Sequence, residues 1–201
     1  MREVELKAVV DDLPKRRLKV EVEGGLLSFE GKISDRRYDL ASRELSSRDE
    51  MLRVRLYQSP DFTKAFLDWK GPTEIVDAYK VREEFTTPVD FDSLEMILEK
   101  LGFQLVGEID RQIAEYRLRG ATVRFEMYPR MDTLVEVEGE PPAIEEVIEL
   151  IGMPRGAFSN QRLAWFVAAF EQRTGVRAAV CEREAGRPGS GKGEEGSGLR
   201  I

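Results

Sequence analysis

The chain has 201 residues, of which 41% are hydrophobic and 34% are charged, so it can bury one sizeable core. With 31 basic and 38 acidic residues the net charge is -7 at pH 7, which disfavours nucleic acid and anionic membranes as partners. Any anion-binding site must therefore come from a local concentration of cations.

The chain has no histidine and one cysteine, Cys181. The lack of histidine removes the commonest general base and zinc ligand, and a single cysteine excludes an internal disulfide framework. No apolar run approaches the roughly 18 residues of a membrane helix, and the start lacks a signal-peptide pattern. We expect a cytoplasmic protein with no membrane partner.

Alternation of apolar and polar residues predicts strands through the first 140 residues. Residues 13–23 fit two structures, because Leu18, Val20 and Val22 alternate like a strand while Pro14 and the following glycines suit a helix. That segment stays open between helix and strand. Weaker strand patterns lie at 26–33 and 103–118. The clearer strands are 2–10, 51–58, 64–70, 78–86, 121–127 and 133–138.

Apolar residues at helical spacing predict three helices after the middle of the chain. The first is capped at Asp92 and ends at Gly102, the second covers 142–151, and the third follows Ser159 and ends near Gly175.

Residues 184–201 form a tail rich in glycine, serine and charge, which we predict to be disordered. It contains GRPGSGKG, beginning at Gly186, which looks like a phosphate-binding P-loop. A P-loop needs a preceding strand, a following helix and a Ser or Thr after the lysine, where this chain has Gly193. We therefore interpret the segment as a flexible tail.

Several predicted strands carry charges on one face only. A single such strand is usually a half-solvated edge, but here the pattern repeats, with acids on the first and last strands and cations on the middle ones. The alternating charged positions are Glu3, Glu5, Lys7, Arg53, Arg55, Asp68, Lys70, Lys80, Arg82, Glu84, Arg124, Glu126, Glu136 and Glu138.

The economical arrangement of these strands is an α+β fold: a closed antiparallel barrel of about eight strands with charges inside and apolar residues packed under helices. Clustered arginines and lysines in a lumen suit a polyanion such as a phosphate chain. Carboxylates in the same lumen would repel that chain unless they hold a hard cation, Mg²⁺ or Mn²⁺.

Over residues 1–140, this ordered set resembles the CYTH superfamily, the triphosphate tunnel metalloenzymes. The resemblance implies an eight-stranded tunnel domain over 1–180, with C-terminal helices at about 142–175. It also implies a small-molecule triphosphate as partner, one or two Mg²⁺ or Mn²⁺ ions, and a homodimer. The motifs that carry it are Glu3-x-Glu5-x-Lys7, Arg53-x-Arg55, Lys70, Lys80-x-Arg82-x-Glu84, Glu136-x-Glu138, and Asp35-x-x-Tyr38-Asp39, which is similar to the family's D-x-Y-Y-D.

The charge pattern and the resemblance together suggest roles for these residues. Because histidine is absent, a metal or a carboxylate such as Glu84 is expected to activate the nucleophile, with Lys7 as the second catalytic candidate. Glu126 stands where the family usually has Asp. The expected phosphate-binding residues are Lys7, Arg53, Arg55, Lys70, Lys80, Arg82 and Arg124, and the expected metal-binding residues are Glu3, Glu5, Glu126, Glu136 and Glu138.

Two features depart from the family pattern. Arg111-Gln112-Ile113 stands where the family often has Lys-x-Arg, which predicts one lumen cation fewer. The helix at 160–173 lies beyond the resemblance, which leaves the tunnel exit open to reshaping.

Three functions remain open at this point. WKGP, YKVREE and the helix before Leu101 are similar to the class IV adenylyl cyclase branch, which favours conversion of ATP to cyclic AMP and pyrophosphate. The alternatives are hydrolysis of tripolyphosphate, thiamine triphosphate or a nucleoside triphosphate, and binding of a triphosphate or polyphosphate without turnover.

Overall fold

The computed structural model describes residues 2–186, and its centre is a closed antiparallel barrel of eight strands, which confirms the predicted fold class. The order around the barrel is β1-β9-β8-β7-β2-β3-β4-β6, and β6 pairs with β1 to close it. A short ninth strand, β5, pairs with β6. The strands are β1 (Arg2–Val9), β2 (Leu26–Leu40), β3 (Met51–Gln58), β4 (Thr63–Lys70), β5 (Glu74–Val76), β6 (Tyr79–Val89), β7 (Phe103–Leu118), β8 (Ala121–Met127) and β9 (Leu134–Glu138).

The two weak strand patterns prove to be the longest strands of the barrel. β2 and β7 pair along most of their length, and β2 extends to Leu40, well past the predicted end at residue 33. The continuation was hidden because Asp35, Arg36 and Arg37 put charges on both faces of the strand.

The segment left open at 13–23 is a helix, α1 (Leu13–Val22). The Asp12 carboxylate accepts a hydrogen bond from the Lys15 amide, which caps the first turn and fixes where the helix begins. Of the apolar residues that alternated, only Val20 is buried, whereas Leu18 and Val22 are exposed. The alternation of these three residues therefore does not reflect a strand with one buried face.

The three predicted helices are present with shifted starts. The third helix in the chain is capped by Asp90, whose carboxylate accepts from the Ser93 amide, and not by Asp92. The fifth begins at Leu163, four residues after Ser159. The helices after α1 are α2 (Glu44–Ser47), α3 (Phe91–Lys100), α4 (Pro141–Leu150), α5 (Leu163–Thr174) and α6 (Glu182–Ala185). The short helices α2 and α6 were not predicted.

The predicted tail lies mostly outside the described residues. Its first two residues, Glu184 and Ala185, belong to α6. Residues 187–201, with nearly all of the P-loop-like segment, are not described. Within residues 2–186, no helix is long and apolar enough to cross a membrane.

The main apolar core lies outside the barrel, between its wall and two helices. Leu6 and Ala8 of β1 pack in one cluster with Ile144 and Val147 of α4, and α1 contributes Val20. Burial of each large aliphatic side chain stabilises the fold by about 1.5–3 kcal/mol. Because strand residues alternate between faces, this outer packing turns the charged residues of the same strands into the lumen.

Candidate active site in the barrel lumen

The barrel encloses two cavities that meet at a shared layer formed by Glu3, Arg55 and Arg124. The inner one, of about 180 Å³, we call the cationic chamber; its walls include Lys7, Arg53, Lys70, Lys80, Arg82 and Arg111. The outer one, of about 670 Å³, we call the aromatic mouth; its walls include Phe29, Tyr57, Phe62 and Phe66.

Every predicted site residue lines one of these two cavities. The seven predicted phosphate-binding cations all line the chamber, together with four of the predicted metal-binding acids. Glu84 and Glu138 line the aromatic mouth. The placement brings these side chains together, and their roles stay predictions.

The β1 wall of the chamber consists of lysines held between glutamates. The Lys7 ammonium lies 3.1 Å from a Glu5 oxygen and also contacts Glu136, its cross-strand neighbour on β9. Lys80 pairs with Glu5 on its other side. Burial alone would raise the pKa of Glu5, but Lys7 and Lys80 outweigh it and hold that pKa well below its usual range.

Lys70, the last residue of β4, forms ion pairs with Glu3 of β1 and Glu84 of β6. Its ammonium donates to both Glu3 oxygens at 2.7 Å and lies 2.9 Å from Glu84. Burial favours the neutral form of Glu3, but Lys70 outweighs this effect and lowers the pKa of Glu3 to about 2. The Glu3 carboxylate is therefore charged at neutral pH.

Asp35 is the anionic centre of the opposite wall. Its carboxylate, 2% exposed, accepts from Arg55 at 2.7 and 2.9 Å and from Arg111 at 3.1 Å, and Arg53 lies 3.5 Å away. Burial would raise the pKa of Asp35, but these arginines outweigh it and hold the pKa well below its usual range. One carboxylate therefore gathers three guanidiniums around the lumen.

Three further ion pairs extend this wall to β8. Arg124 donates to Glu115 and to Glu136, each at 2.7 Å. Glu126 accepts from Arg111 and from the Tyr128 hydroxyl, each at 2.8 Å. The Glu126 carboxylate is thus hydrogen-bonded to a guanidinium and a phenol, one on each oxygen.

Loops and the C-terminal segment form the open end of the chamber. The Arg82 guanidinium donates to the carbonyl oxygens of Gly71 and Asp49, which ties two loops to β6. Arg162, just before α5, lines the same opening and donates to the Asp49 carboxylate at 2.6 Å. The segment that carries Arg162 lies beyond the part of the sequence that resembles the family, and it contributes to this end of the tunnel.

Two cations outside the predicted set, Arg37 and Arg111, also line the chamber, and Asp35 has a central position that the sequence did not reveal. Arg111 stands at the Lys-x-Arg position noted in the sequence, but it was given no role there. Charges on both faces of β2 and β7 obscure which residues turn inward, because Arg36 and Asp110 form an ion pair, 3.1 Å long, that is not part of the lumen lining. Ile113, two residues beyond Arg111 on the same face, is buried and apolar, so this part of β7 supplies one cation.

Arg37 differs from the other chamber arginines because its Nε is buried and has no hydrogen-bond partner among residues 2–186. Burial lowers the pKa of Arg37 to about 10, and Asp35 opposes the shift only in part. A buried guanidinium with spare donors is costly unless something else accepts from it. This donor is free for an anionic ligand in the chamber.

The carboxylates of β1 and β9 suit a hard divalent cation by their chemistry. Glu3, Glu5, Glu136 and Glu138 repel one another, and burial together with Glu136 raises the pKa of Glu138 to about 7. Such repulsion is relieved by Mg²⁺ or Mn²⁺, which prefer oxygen ligands. Within residues 2–186, however, no three such groups are already gathered as a metal cluster.

Comparison with known proteins assigns the fold to a family. A protein from Pyrococcus horikoshii OT3, PH1819, is 24% identical with a TM-score of 0.67, covering 85% of this chain and 99% of that one. An adenylate cyclase candidate from Vibrio parahaemolyticus is 18% identical with a TM-score of 0.70, covering 83% and 97%. An adenylyl cyclase candidate from Hippeastrum, described as having a dominant triphosphatase activity, is 17% identical with a TM-score of 0.61, covering 86% and 95%.

Because these three proteins are at most 24% identical to this chain, their structural similarity shows a shared fold and nothing further. No match was found among the curated proteins. The family model of the CYTH domain matches residues 1–151, which confirms the resemblance seen in the sequence. The chain therefore belongs to the CYTH family, whose fold is a metal-dependent triphosphate tunnel.

Proposed function

We propose that this protein is a divalent-metal-dependent enzyme that binds a triphosphate in the cationic chamber and cleaves one of its phosphoanhydride bonds. The observation that carries the proposal is the composition of the chamber, whose described lining has ten basic side chains and seven carboxylates. A closed lumen with this excess of positive charge suits a compact polyanion.

The cations would bind the phosphate chain by exchanging their present carboxylate partners for phosphate oxygens. Arg53 and Arg55 hold Asp68 and Asp35 through two guanidinium nitrogens each, the same fork geometry that binds a phosphate. The unpartnered Nε of Arg37 adds a donor that needs no exchange.

Glu3, Glu5, Glu136 and Glu138 would hold the divalent cation, with Glu126 as a further ligand if it leaves Arg111. A bound Mg²⁺ or Mn²⁺ would neutralise phosphate oxygens and lower the pKa of a coordinated hydroxyl or water. Lys7, between Glu5 and Glu136, would add positive charge where the transferred phosphate becomes more negative.

The first candidate reaction is the adenylyl cyclase type. The ribose 3′-oxygen of ATP attacks the α-phosphorus, the bond from that phosphorus to the bridging oxygen breaks, and pyrophosphate leaves. The proton of the 3′-hydroxyl needs an acceptor, and with no histidine in the chain Glu84 is our candidate. Glu84 lines the aromatic mouth next to the shared layer and contacts Lys70.

The second candidate is hydrolysis, in which water attacks the terminal phosphorus and the bond from that phosphorus to the bridging oxygen breaks. The diphosphate portion leaves, the attacked phosphoryl group becomes orthophosphate, and the water gives up a proton to a carboxylate or to solvent. The Hippeastrum neighbour, with its dominant triphosphatase activity, supports this alternative. The same chamber residues would serve both reactions, because they contact the phosphate chain rather than the nucleophile.

One experiment separates the functions. Purified protein is incubated with Mg²⁺ or Mn²⁺ and either ATP or tripolyphosphate, and the products are resolved by ³¹P NMR. Cyclic AMP with pyrophosphate supports the cyclase, and orthophosphate supports the hydrolase. Saturable binding without turnover would indicate a binding module. Absence of any phosphate-dependent thermal shift would remove the chamber as a triphosphate site.

Two variants link the assay to the lumen. Glu5→Gln should lose metal-dependent turnover, while Arg55→Ala should mainly weaken triphosphate binding, by roughly ten- to a hundredfold for a lost charge-assisted fork. Asp132→Asn, which removes an ion pair with the exposed Arg173, is the matched control. Wild-type behaviour of both lumen variants would refute the site.

A further inference from the structure

A groove on the outer surface of the barrel has no part in the proposed function. It lies between α3 and the start of β7 and encloses about 590 Å³; we call it the outer groove. Leu94 and Leu98 of α3 pack in one cluster with Val54 of the barrel wall, so the outer groove is lined by a different face of the helix. Its lining residues are Tyr38, Asp92, Glu95, Met96, Glu99, Phe103, Gln104 and Leu105.

The apolar part of the outer groove is incompletely covered. Met96 is 60% exposed and Leu105 is 42% exposed, while Phe103 is half-buried. The volume of the groove lies in the range of ligand-binding pockets. Exposed apolar side chains that line a concave surface of this size indicate a place where a further apolar group can bind.

Carboxylates of α3 border the same groove. Asp92, Glu95 and Glu99 follow one another at helical spacing along one side of the helix. Glu95 accepts a hydrogen bond from the Tyr38 hydroxyl at 2.6 Å, whereas Asp92 and Glu99 are exposed at the edge. A ligand suited to this groove therefore combines apolar side chains with a positive charge.

The last described residues lie beside the outer groove, on the same face of β7. Arg183 of α6 forms an ion pair with Glu108 at 2.6 Å. Glu108 pairs with Arg36 of β2 and Leu105 pairs with Tyr38, two residues further along, so both point to the outer side of the barrel. The three residues from Glu108 to Leu105 span about 10 Å of strand.

Residues 187–201 continue from this position, and their sequence fits the groove. The twelve residues 187–198 include five glycines and two serines. A chain of this length and composition has a root-mean-square end-to-end distance of roughly 20 Å, which is enough to reach from α6 to α3. The three residues that follow, Leu199-Arg200-Ile201, combine two aliphatic side chains with one cation.

We propose that the outer groove binds Leu199-Arg200-Ile201 of the same chain, with the two aliphatic side chains on Met96 and Leu105 and the guanidinium at the carboxylates of α3. A linker whose length matches the span gives an effective concentration in the millimolar range, so a contact of three residues is sufficient for binding. The P-loop-like segment is then part of the linker. This inference is independent of the reaction proposed for the chamber.

Paramagnetic broadening in NMR spectra of the full chain tests this contact. The methionine methyl groups carry ¹³C, and a nitroxide spin label is attached to Ser197→Cys, next to the proposed anchor. The native Cys181 is 2% exposed and should not take the label. Met96 reports on the outer groove, and Met153, in the main core against α4, is the internal control.

The spin label should broaden the Met96 signal and leave that of Met153 sharp. Leu199→Ser and Ile201→Ser should each lower the ratio of bound to free tail by roughly tenfold or more, as expected for a lost aliphatic contact. Arg200→Gln should lower it by up to about fivefold, the value for an exposed ion pair. Lys192→Gln removes the same charge from the linker and is the matched control, with no change expected.

Three results would overturn the inference. The first is equal broadening of Met96 and Met153, or none. The second is selective broadening of Met96 that persists when Leu199→Ser and Ile201→Ser are combined. The third comes from a mixture in which one copy carries only the spin label and the other only ¹³C: equally strong broadening of Met96 there would place the segment on a second copy instead of its own chain.

Discussion

Asp35 offers the sharpest test of how the chamber is stabilised, because one carboxylate balances three buried arginines. Asp35→Asn keeps the shape of the side chain but removes its charge. Removing one partner from a buried ion pair typically costs about 3–5 kcal/mol. For a domain of this size each kcal/mol lowers Tm by roughly 2–4 °C, so we expect a fall of about 6–20 °C.

The same substitution should make the protein more responsive to its ligand. With Asp35 neutral, Arg55 loses its carboxylate partner, while Arg53 and Arg111 keep Asp68 and Glu126. A phosphate chain can replace the missing anion. We therefore expect tripolyphosphate to raise Tm more in Asp35→Asn than in the wild type, where a ligand at a hundred times its Kd adds about 2.7 kcal/mol. Differential scanning calorimetry with and without ligand measures both effects.

The pH dependence of stability gives a third readout. The pKa of Asp35 is lowered in the folded state, so its contribution is present above the unfolded pKa of about 3.9 and is lost as pH falls. Asp35→Asn should flatten the acid limb of the stability curve below about pH 5.

Asp132→Asn is the control, because its partner Arg173 is 61% exposed and a surface pair contributes at most about 1 kcal/mol. Two results would contradict this reasoning. One is a change in Tm no larger for Asp35→Asn than for the control, and the other is a ligand-induced rise in Tm no larger for Asp35→Asn than for the wild type. Either would show that the arginines around Asp35 do not form an anion-binding site.

Three further predictions follow from single contacts. Arg37→Met should raise the free energy of unfolding by about 1 kcal/mol, because it removes a buried Nε without a partner, yet lower triphosphate affinity several-fold; reduced stability in calorimetry would contradict this. Asp39→Ala should lower the free energy of unfolding, measured with urea, by about 2 kcal/mol, because the Asp39 carboxylate accepts hydrogen bonds from the amides of Leu40, Leu45 and Ser46. Ser46→Ala removes only the hydroxyl that donates to Asp39 and should lower it less. Gly31→Ala should lower the free energy of unfolding by about 1–3 kcal/mol in the same urea experiment, since the added Cβ would lie 2.3 Å from the Gln58 carbonyl oxygen. Gly156→Ala is the control and should leave the free energy of unfolding nearly unchanged, because an added Cβ there would have no atom within 4 Å.

Much of the site that the sequence predicted lies on stretches that alternate clearly. From Val4 to Ala8 of β1 and from Leu52 to Leu56 of β3, each charged residue has apolar neighbours on both sides, so the pattern reveals which face turns inward. β2 and β7 break that rule, because Arg36 and Asp110 pair with each other away from the lumen lining. Alternation cannot assign a face when both faces are charged, so neither Arg37 nor Arg111 was among the predicted site residues.

The aromatic mouth was also beyond the reach of sequence patterns. Phe29, Tyr57 and Phe66 come from three strands, and each looks like an ordinary strand aromatic when read alone. Only the register that sets Phe66 opposite Arg55, and closure of the barrel around them, brings the rings to one end of the lumen.

The sequence by itself determined that charged and apolar residues alternate along the strands, and this alternation dictated a barrel with a polar lumen under helices. The order of acids and cations along the chain determined the family. The tertiary structure decided which charges meet: that Asp35 holds three arginines, that Lys7 lies between two glutamates, and that Arg162 reaches the open end of the chamber. Most of these contacts join residues far apart in the chain, and the energy of an ion pair depends on distance and burial, which no local pattern contains.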